Sequence, residues 1–379
     1  MKVLYVLPKT YWGGGLQMNR LTLFQELVKL PEIDFAVCVL EFSGGTSERI
    51  KQLGVPEFFL NKKARFTHLG TSLALRKVLK EFDPDIIHTA NIDADMHGYI
   101  ASRMHRRSKL IVEEIGSAQE RSRIMRRLCR HVYSRADGVL CVSPDIHQDM
   151  IDLQRVTRPD VKITYNPVNP EHLANTEMTP SELRQKHGLA DSDFVFGIIA
   201  RLIDFKGHAY LLDAFQRVNE SNDQTKLVIV GSGPLMEPLR QDANSRGIAE
   251  SVVFTDAVTN VGDYLSMMDV FVHPSTKEPF GISIIEAMYK KLLVITTDVG
   301  GPADYVDHDK TGILVPPFDA DAIEAEMKRA MAMSASRRQE IGDAARETVL
   351  KRFLPEQYAK SMINVYRDVL AANTRQQAA

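Results

Sequence analysis

The 379-residue sequence has no long hydrophobic run, and its three cysteines, Cys38, Cys129 and Cys141, show no CxxC spacing. A membrane-spanning helix needs about 18 or more consecutive apolar residues, so none is predicted. An odd number of widely spaced cysteines argues against a disulfide framework and against a thiolate zinc site. The opening segment, MKVLYVLPKT, has too short an apolar core for a secretory signal. We therefore expect a cytoplasmic globular protein with two hydrophobic cores.

Signals for a metal or a dinucleotide are also weak. A chain with 49 Asp+Glu contains DxD triplets by chance. Such triplets occur at 83–85, 93–95, 191–193 and 319–321. His208, His273 and His308 have no partner at ligand spacing, and neither glycine-rich loop has the full dinucleotide fingerprint. The sequence therefore predicts no metal or cofactor and disfavours an NAD-dependent enzyme.

Positive charge is concentrated in residues 1–170, which hold 25 Lys+Arg against 19 Asp+Glu, whereas the remainder holds 22 against 30. As a helix, 121–135 would place arginines on one side: Arg123, Arg126, Arg127 and Arg130. An apolar row would occupy the other side: Ile124, Leu128 and Val132. This helix could contact anionic lipid or an anionic acceptor, and a solvated face above one apolar stripe fits equally well. No nucleic-acid-binding pattern is present, so nucleic acid is not an expected partner.

Short apolar runs alternate with longer amphipathic stretches along the chain. Most runs are continuous, as expected of parallel strands buried on both faces. Twelve are predicted as strands: 2–7, 34–40, 85–89, 109–114, 138–143, 161–166, 194–200, 226–231, 252–255, 270–273, 292–297 and 312–315. Twelve strands are too many for one doubly wound sheet, so we predict an α/β chain with two Rossmann-like domains.

The proline-rich segment 165–180 separates the two strand series. The predicted domains are 1–168 and 169–355. The remaining segment, 356–379, is predicted to contain a helix that packs back across the interface or caps the second domain, followed by a polar tail.

Each predicted domain has a suggestive loop after its first strand. Gly14 and Gly15 lead into a helix, where backbone N–H groups can receive an anion, although a plain tight turn fits as well. Arg201 and Lys206 follow the strand 194–200, at the sheet edge where doubly wound folds bind ligands. Further on, the turn GSGP at 231–234 could bring backbone close to a nucleotide or form an ordinary loop.

The densest signal is HPSTKEPFGISIIEAM at 273–288. A loop carries Glu278, and Gly281 opens a helix whose first N–H groups and dipole form a seat for an anion. Glu286 follows among apolar neighbours, where sugar hydroxyls are the donors that its carboxylate would need. We favour this interpretation over two unrelated surface glutamates because both stand beside one anion seat.

These segments in this order resemble a family-4 retaining glycosyltransferase of GT-B fold. The resemblance implies two Rossmann-like, doubly wound parallel-sheet domains facing a central cleft, the first binding the acceptor and the second the nucleotide-sugar donor. In that family, the residues matching Arg201 and Lys206 hold the donor diphosphate, the match of Glu278 faces the transferred sugar, and the match of Glu286 binds ribose. The other residues implied to lie near the donor are Gly14, Gly15, Gly233, Pro234, Gly281, Ile282 and Ser283.

The resemblance further implies metal-independent transfer, with UDP-sugar favoured over GDP-sugar. The expected acceptor is a cell-surface polysaccharide, lipopolysaccharide or glycolipid, assembled at the inner face of the cell membrane. A GT-B nucleotide-sugar epimerase and a non-catalytic nucleotide-sugar-binding protein remain alternatives.

The sequence departs from the family pattern at a histidine that lies near the reaction centre. Ile115 stands in its place, and Glu114, Ser117 and His97 are the candidates to substitute for it. Asp256 replaces a family glycine in the loop after Phe254.

Overall fold

The computed structural model describes residues 1–10, 15–65, 67–105 and 107–377. The chain forms two compact units, one of Met1–Pro167 together with the residues from Pro355 onward, and one of Val168–Leu354. The divisions follow Pro167 and Leu354, each one residue before the boundary predicted from the sequence.

The first unit contains a seven-stranded sheet in which every pairing is parallel. Its strands are β1 (Lys2–Thr10), β2 (Asp34–Ser43), β3 (Glu57–Phe59), β4 (Ile86–Ala90), β5 (Lys109–Glu114), β6 (Gly138–Cys141) and β7 (Lys162–Ile163). They lie in the order β3-β2-β1-β4-β5-β6-β7. The connecting helices are α1 (Gly15–Val28), α2 (Gly45–Gln52), α3 (Leu69–Phe82), α4 (Ile92–His105), α5 (Arg123–Tyr133) and α6 (Pro144–Asp152).

The second unit contains a six-stranded parallel sheet in the order β10-β9-β8-β11-β12-β13. Its strands are β8 (Phe194–Ile199), β9 (Thr225–Val230), β10 (Val252–Thr255), β11 (Val270–His273), β12 (Leu293–Thr297) and β13 (Ile313–Val315). Its helices are α7 (Pro170–Ala174), α8 (Pro180–Lys186), α9 (His208–Ser221), α10 (Met236–Ser245), α11 (Val261–Ser266), α12 (Ile282–Tyr289), α13 (Pro302–Tyr305), α14 (Ala320–Ala332) and α15 (Ala335–Arg352). Apolar side chains of the strands and of α9 and α14 form its core.

The last helix, α16 (Pro355–Gln377), belongs to the first unit and packs into its core. A buried charge network holds it there. Arg20 of α1 pairs with Glu113 of β5 at 2.8 Å and also contacts the hydroxyl of Tyr358 on α16. Burial alone would raise the pKa of Glu113, but Arg20 and His88 lower that pKa to about 2. The pair therefore stays ionised inside the unit, linking three elements.

The structure differs from the predicted strands at two edges of the first sheet. The short strand β3 was not predicted, because it has three residues and pairs only with β2 at the sheet edge. The strand predicted at 161–166 is reduced to β7, since its neighbour β6 ends at Cys141 and offers no further ladder.

Candidate active site

Two of the predicted site residues lie at one edge of the second sheet. Strands β8 and β11 pair directly, and the strand order reverses between them. The loops that leave the carboxyl ends of these strands therefore lie side by side, where doubly wound sheets bind ligands. The first loop ends in a 3₁₀ turn, Asp204–Lys206, and the second carries Glu278.

Lys206 and Glu278 form a buried ion pair between these loops. The Lys206 ammonium contacts Glu278 Oε2, and the two side chains are 12% and 6% exposed. The same oxygen accepts a hydrogen bond from His273 Nε2 at 2.7 Å and one from Ser275 Oγ at 3.2 Å. Burial alone would raise the pKa of Glu278, but Lys206 and His273 hold that pKa well below its usual range. Glu278 is therefore a carboxylate that can only accept hydrogen bonds.

Backbone contacts fix the two loops against each other. The Thr276 N–H donates to Phe205 O at 2.9 Å. Gly207 follows Lys206 with a φ of +73°, and a Cβ at this position would lie 1.9 Å from Pro274 O. Only glycine fits this close approach, so the loop that presents Lys206 has little freedom to move without the second loop.

Helix α12 begins directly after the second loop. Gly281 precedes it with a φ of +88°, and the Tyr305 hydroxyl donates to Phe280 O at 2.7 Å. The first N–H groups of an α-helix have no partner within the helix. Those of Ile282 and Ser283 are therefore suited to receive an anion, as the sequence predicts for this segment.

Glu286 lies further along α12 and differs from Glu278 in its surroundings. Its side chain is partly buried, and loss of solvation raises its pKa to about 8. Within the described residues, no hydrogen bond or ion pair engages its carboxyl group. At neutral pH this carboxyl group is therefore mostly protonated, whereas Glu278 is ionised.

Arg201 belongs to a different group of contacts. It is exposed after β8. The N–H of its neighbour Leu202 donates to Ser232 O at 2.9 Å, and a Cβ at Gly233 would lie 2.3 Å from Leu202 O. The loop at 231–234, with Pro234 exposed, is therefore packed against the loop that carries Arg201.

Two further glycines predicted near the donor, Gly14 and Gly15, fall in the part of the sequence that belongs to the first unit. Gly14 lies outside the described residues, and Gly15 is the first residue of α1. Their roles stay predictions. In the part of the chain that the structure describes, no three His, Cys, Asp or Glu side chains come together as metal ligands would.

The candidates to replace the family histidine at Ile115 all have structural partners. Glu114 is buried and accepts from Arg121 Nη2 at 2.6 Å. The Ser117 hydroxyl donates to a buried aspartate, and His97 contacts a serine hydroxyl at 2.8 Å and a backbone carbonyl at 2.9 Å through its two ring nitrogens. Each side chain is thus engaged within the first unit.

The predicted basic helix forms as α5, but its apolar row is not fully packed. Ile124 is 72% exposed whereas Val132 is buried, so the predicted row of Ile124, Leu128 and Val132 does not share one environment. A spacing of four residues advances about 40° around a helix, which turns Ile124 away from the side where Val132 is buried. Arg126 donates to backbone carbonyls. The arginines of α5 exposed to solvent are Arg123, Arg127 and Arg130.

A second basic surface, not predicted from the sequence, includes the first turns of α3. Leu69 and Leu73 lie one turn apart and are 66% and 53% exposed. Residues 62–80 contain six Lys+Arg and no Asp or Glu. The run of cations could be seen in the sequence. The exposure of Leu69 and Leu73 could not be predicted, because leucines four residues apart also have the spacing of a buried helix face. Of the helices in the described ranges, none has the length and apolar content to cross a membrane.

Both units match known protein families. Residues 13–172 match Glycosyltransferase Family 4, and residues 180–348 match Glycosyl transferases group 1. The chain belongs to glycosyltransferase family 4.

Individual relatives and solved structures are similar to this chain at lower identity. An uncharacterized glycosyltransferase of Methanocaldococcus jannaschii is 31% identical over 60% of this chain and 59% of its own length. The chain thus spans about three fifths of that relative. The alpha-monoglucosyldiacylglycerol synthase of Streptococcus pneumoniae is 25% identical over 80% of this chain and 74% of its own.

A crystal structure of Anabaena HepE in complex with UDP-glucose superposes with a TM-score of 0.85 and 22% identity, covering 97% of this chain and 100% of HepE. Together with the two parallel sheets, this likeness confirms the predicted GT-B fold.

The glycine at 207 allows a test of the loop geometry. Gly188 has nearly the same φ, +72°, but a Cβ there would meet nothing within 4 Å, so it is a matched control. We expect Gly188→Ala to cost about 1 kcal/mol through its left-handed backbone and to lower Tm by about 2–4 °C. Gly207→Ala adds the collision with Pro274 O and should lower Tm at least twice as much. Equal shifts in thermal unfolding would contradict the close approach of the loops.

Proposed function

We propose that this protein is a retaining glycosyltransferase that moves a sugar from a nucleotide-sugar donor to an acceptor hydroxyl. The observation that carries the proposal is the buried Lys206–Glu278 pair beside the start of α12. It places a cation, a carboxylate and unpaired helix N–H groups in one unit at the ligand-binding edge of a sheet. Family membership supports the same assignment.

The proposed roles follow from the charge of each group. Lys206 and Arg201 neutralise the donor diphosphate, assisted by the N–H groups of Ile282 and Ser283. Glu278 accepts hydrogen bonds from hydroxyls of the transferred sugar. Glu286 accepts hydrogen bonds from ribose hydroxyls, the donors that its unpaired carboxyl group lacks in the free protein.

The proposed chemistry is stabilisation of a departing phosphate. Breaking the bond between the anomeric carbon and the phosphate oxygen builds negative charge on that oxygen, and the two cations and the helix N-terminus offset it. The acceptor attacks from the face that the phosphate leaves, and the leaving phosphate takes the acceptor proton. The sugar then keeps its anomeric configuration.

We further propose a UDP-sugar as the donor and turnover that needs no metal. The similar fold of HepE, whose crystal structure contains UDP-glucose, supports the first point. Two cations at the proposed diphosphate site support the second, because they supply charge that a metal provides in other transferases.

Removing either cation tests the assigned chemistry. We expect Lys206→Ala and Arg201→Ala each to lower kcat by about 10²-fold, since each removes charge stabilisation from the transition state. Lys310→Ala, at an exposed lysine of the same unit, is the control and should leave kcat unchanged. Initial rates of UDP release, measured in EDTA with saturating UDP-sugar and acceptor, report the effect. A wild-type rate for Lys206→Ala would refute its role.

The pKa of Glu286 gives a second, independent test. Because that pKa is about 8 in the free protein, the group is mostly protonated at pH 7. Ribose hydroxyls that donate to the carboxylate favour its ionised form, so nucleotide binding should lower the pKa and release a proton. Affinity should accordingly rise with pH and level off above about pH 8.

Calorimetry at pH 7 in two buffers of different ionisation enthalpy measures this proton. Glu286→Gln cannot ionise, so it should lose the proton release and the rise in affinity, while the titration of the ligand phosphate cancels in the comparison. Equal proton release by wild type and variant would show that Glu286 does not face the nucleotide.

Two other activities can be distinguished from transfer by whether turnover requires an acceptor. A nucleotide-sugar epimerase would convert the donor with no acceptor present, and a non-catalytic binding protein would neither transfer nor hydrolyse it. The observation that favours a binding protein is that Glu114, Ser117 and His97 each have a structural partner and none is free to replace the family histidine. Turnover that depends on an acceptor supports the transferase.

We propose that the acceptor is a glycan or is linked to a lipid, and that it lies at an anionic membrane surface. The exposed arginines of α5, with Ile124 among them, present the combination of charge and apolar surface that such a membrane binds. Leu69 and Leu73 of α3 form a second surface of the same kind. The glucosylated diacylglycerol in the name of the Streptococcus pneumoniae relative supports a lipid-linked acceptor.

Vesicle binding tests the membrane proposal. Each basic residue near an anionic bilayer contributes about 1 kcal/mol, so R123Q/R127Q/R130Q should weaken binding to phosphatidylglycerol vesicles by about 10²-fold. R240Q/K310Q/K351Q, exposed residues of the second unit, is the charge-matched control. L69S/L73S reports separately on α3. Co-sedimentation with phosphatidylcholine vesicles should be weak throughout, and equal affinity of the α5 variant and wild type would contradict the role of α5.

A further inference from the structure

A single oxygen of Glu278 receives three donors. Lys206, His273 and Ser275 all contact Oε2, and no described residue donates a hydrogen bond to Oε1. The carboxylate is therefore held from one side only. Its second oxygen, Oε1, can therefore accept a hydrogen bond from a ligand.

His273 is itself rigidly held. It ends strand β11 and is 1% exposed, and its ring stacks on Phe271 with an interplanar angle of 13°. The Thr296 hydroxyl donates to its backbone carbonyl at 3.0 Å. Burial lowers the pKa of His273, so the ring is neutral and carries one proton. Because the partner of Nε2 is a carboxylate, that proton lies on Nε2, and the ring donates it to Glu278.

We propose that His273 and Ser275 are positioning residues that keep Oε2 of Glu278 fixed and present Oε1 to the sugar of the donor. This inference rests on the proposed function. In the free protein Lys206 also holds Oε2 of Glu278, but its ammonium group is the one that we assign to the donor diphosphate. Once phosphate oxygens draw Lys206 away, His273 and Ser275 remain as the donors that hold the carboxylate.

The consequence is a separation of roles within one donor site. Lys206 and the start of α12 act on the diphosphate, whereas the His273–Ser275 contacts act only through Glu278 on the sugar. Loss of the His273 donor should therefore weaken the contribution of the sugar to affinity and leave that of the nucleotide nearly unchanged. A merely structural role would lower both together.

The matched variants are His273→Leu, which removes the donor, and His273→Gln, whose side-chain amide can donate from a position close to that of Nε2. The measured quantity is the ratio of the Kd for the nucleoside diphosphate to the Kd for the nucleotide sugar. UDP with UDP-glucose, UDP-galactose and UDP-N-acetylglucosamine, and GDP with GDP-mannose, are the probes, and the pair that wild type binds is used.

We expect His273→Leu to lower this ratio about tenfold, the effect of losing one hydrogen bond to a charged group, while the Kd for the nucleoside diphosphate changes less than twofold. His273→Gln should restore most of the ratio. Ser275→Ala, which removes only a hydroxyl, should lower it about threefold and carries the test if His273→Leu does not fold.

Three outcomes would overturn the inference. If wild type binds none of the probes, the proposed function fails and the inference fails with it. If wild type binds but both the His273 and Ser275 variants keep its ratio, only the inference fails. If both variants weaken nucleoside diphosphate and nucleotide sugar equally, their role is structural.

Discussion

The candidate site depends on the ion pair between Lys206 and Glu278. Removing two charges from water costs several kcal/mol per ion, and their attraction offsets this only when the geometry is good and further hydrogen bonds complete it. Here His273 and Ser275 supply these further hydrogen bonds to Glu278, and the close approach of Gly207 to Pro274 keeps the two loops in contact. Direct pairing of β8 with β11 brings these loops together in the first place.

The same constraint explains why two glutamates on neighbouring elements differ. Glu278 has three donors and is ionised, whereas Glu286 has no partner among the described residues and has a pKa near 8. In the proposed function both carboxyl groups meet hydroxyl donors of one ligand. Glu278 is already ionised in the free protein, whereas Glu286 becomes ionised when the hydroxyl groups of the ligand bind.

Much of this architecture could be predicted from the sequence because buried parallel strands are continuous apolar runs. The strands 109–114, 252–255 and 270–273 were predicted to the residue. Strand β3 was not, because three half-exposed residues at a sheet edge leave no such run. The orientation of Ile124 was also missed, since a row of residues spaced by four drifts around the helix.

The site was predictable in its composition but not in its contacts. Glu278 and Lys206 were identified from loops at strand ends, yet nothing in the sequence indicates that they pair with each other. That contact is set by two loops about 70 residues apart. His273 appeared as a histidine without a partner at metal-ligand spacing. Its partner is Glu278, and the contact exists only because the intervening loop folds back on the end of β11.

The central claim, that the second unit binds a nucleotide sugar through Lys206, is tested most directly by thermal stabilisation. UDP, GDP, ADP and NAD would each be added in EDTA to wild type and to Lys206→Ala. A ligand at 100 times its Kd adds about 2.7 kcal/mol to the free energy of unfolding, which is readily seen as a rise in Tm. We expect UDP to raise the Tm of wild type and to raise that of the variant much less. Stabilisation by NAD alone, or equal stabilisation of both proteins by UDP, would contradict the claim.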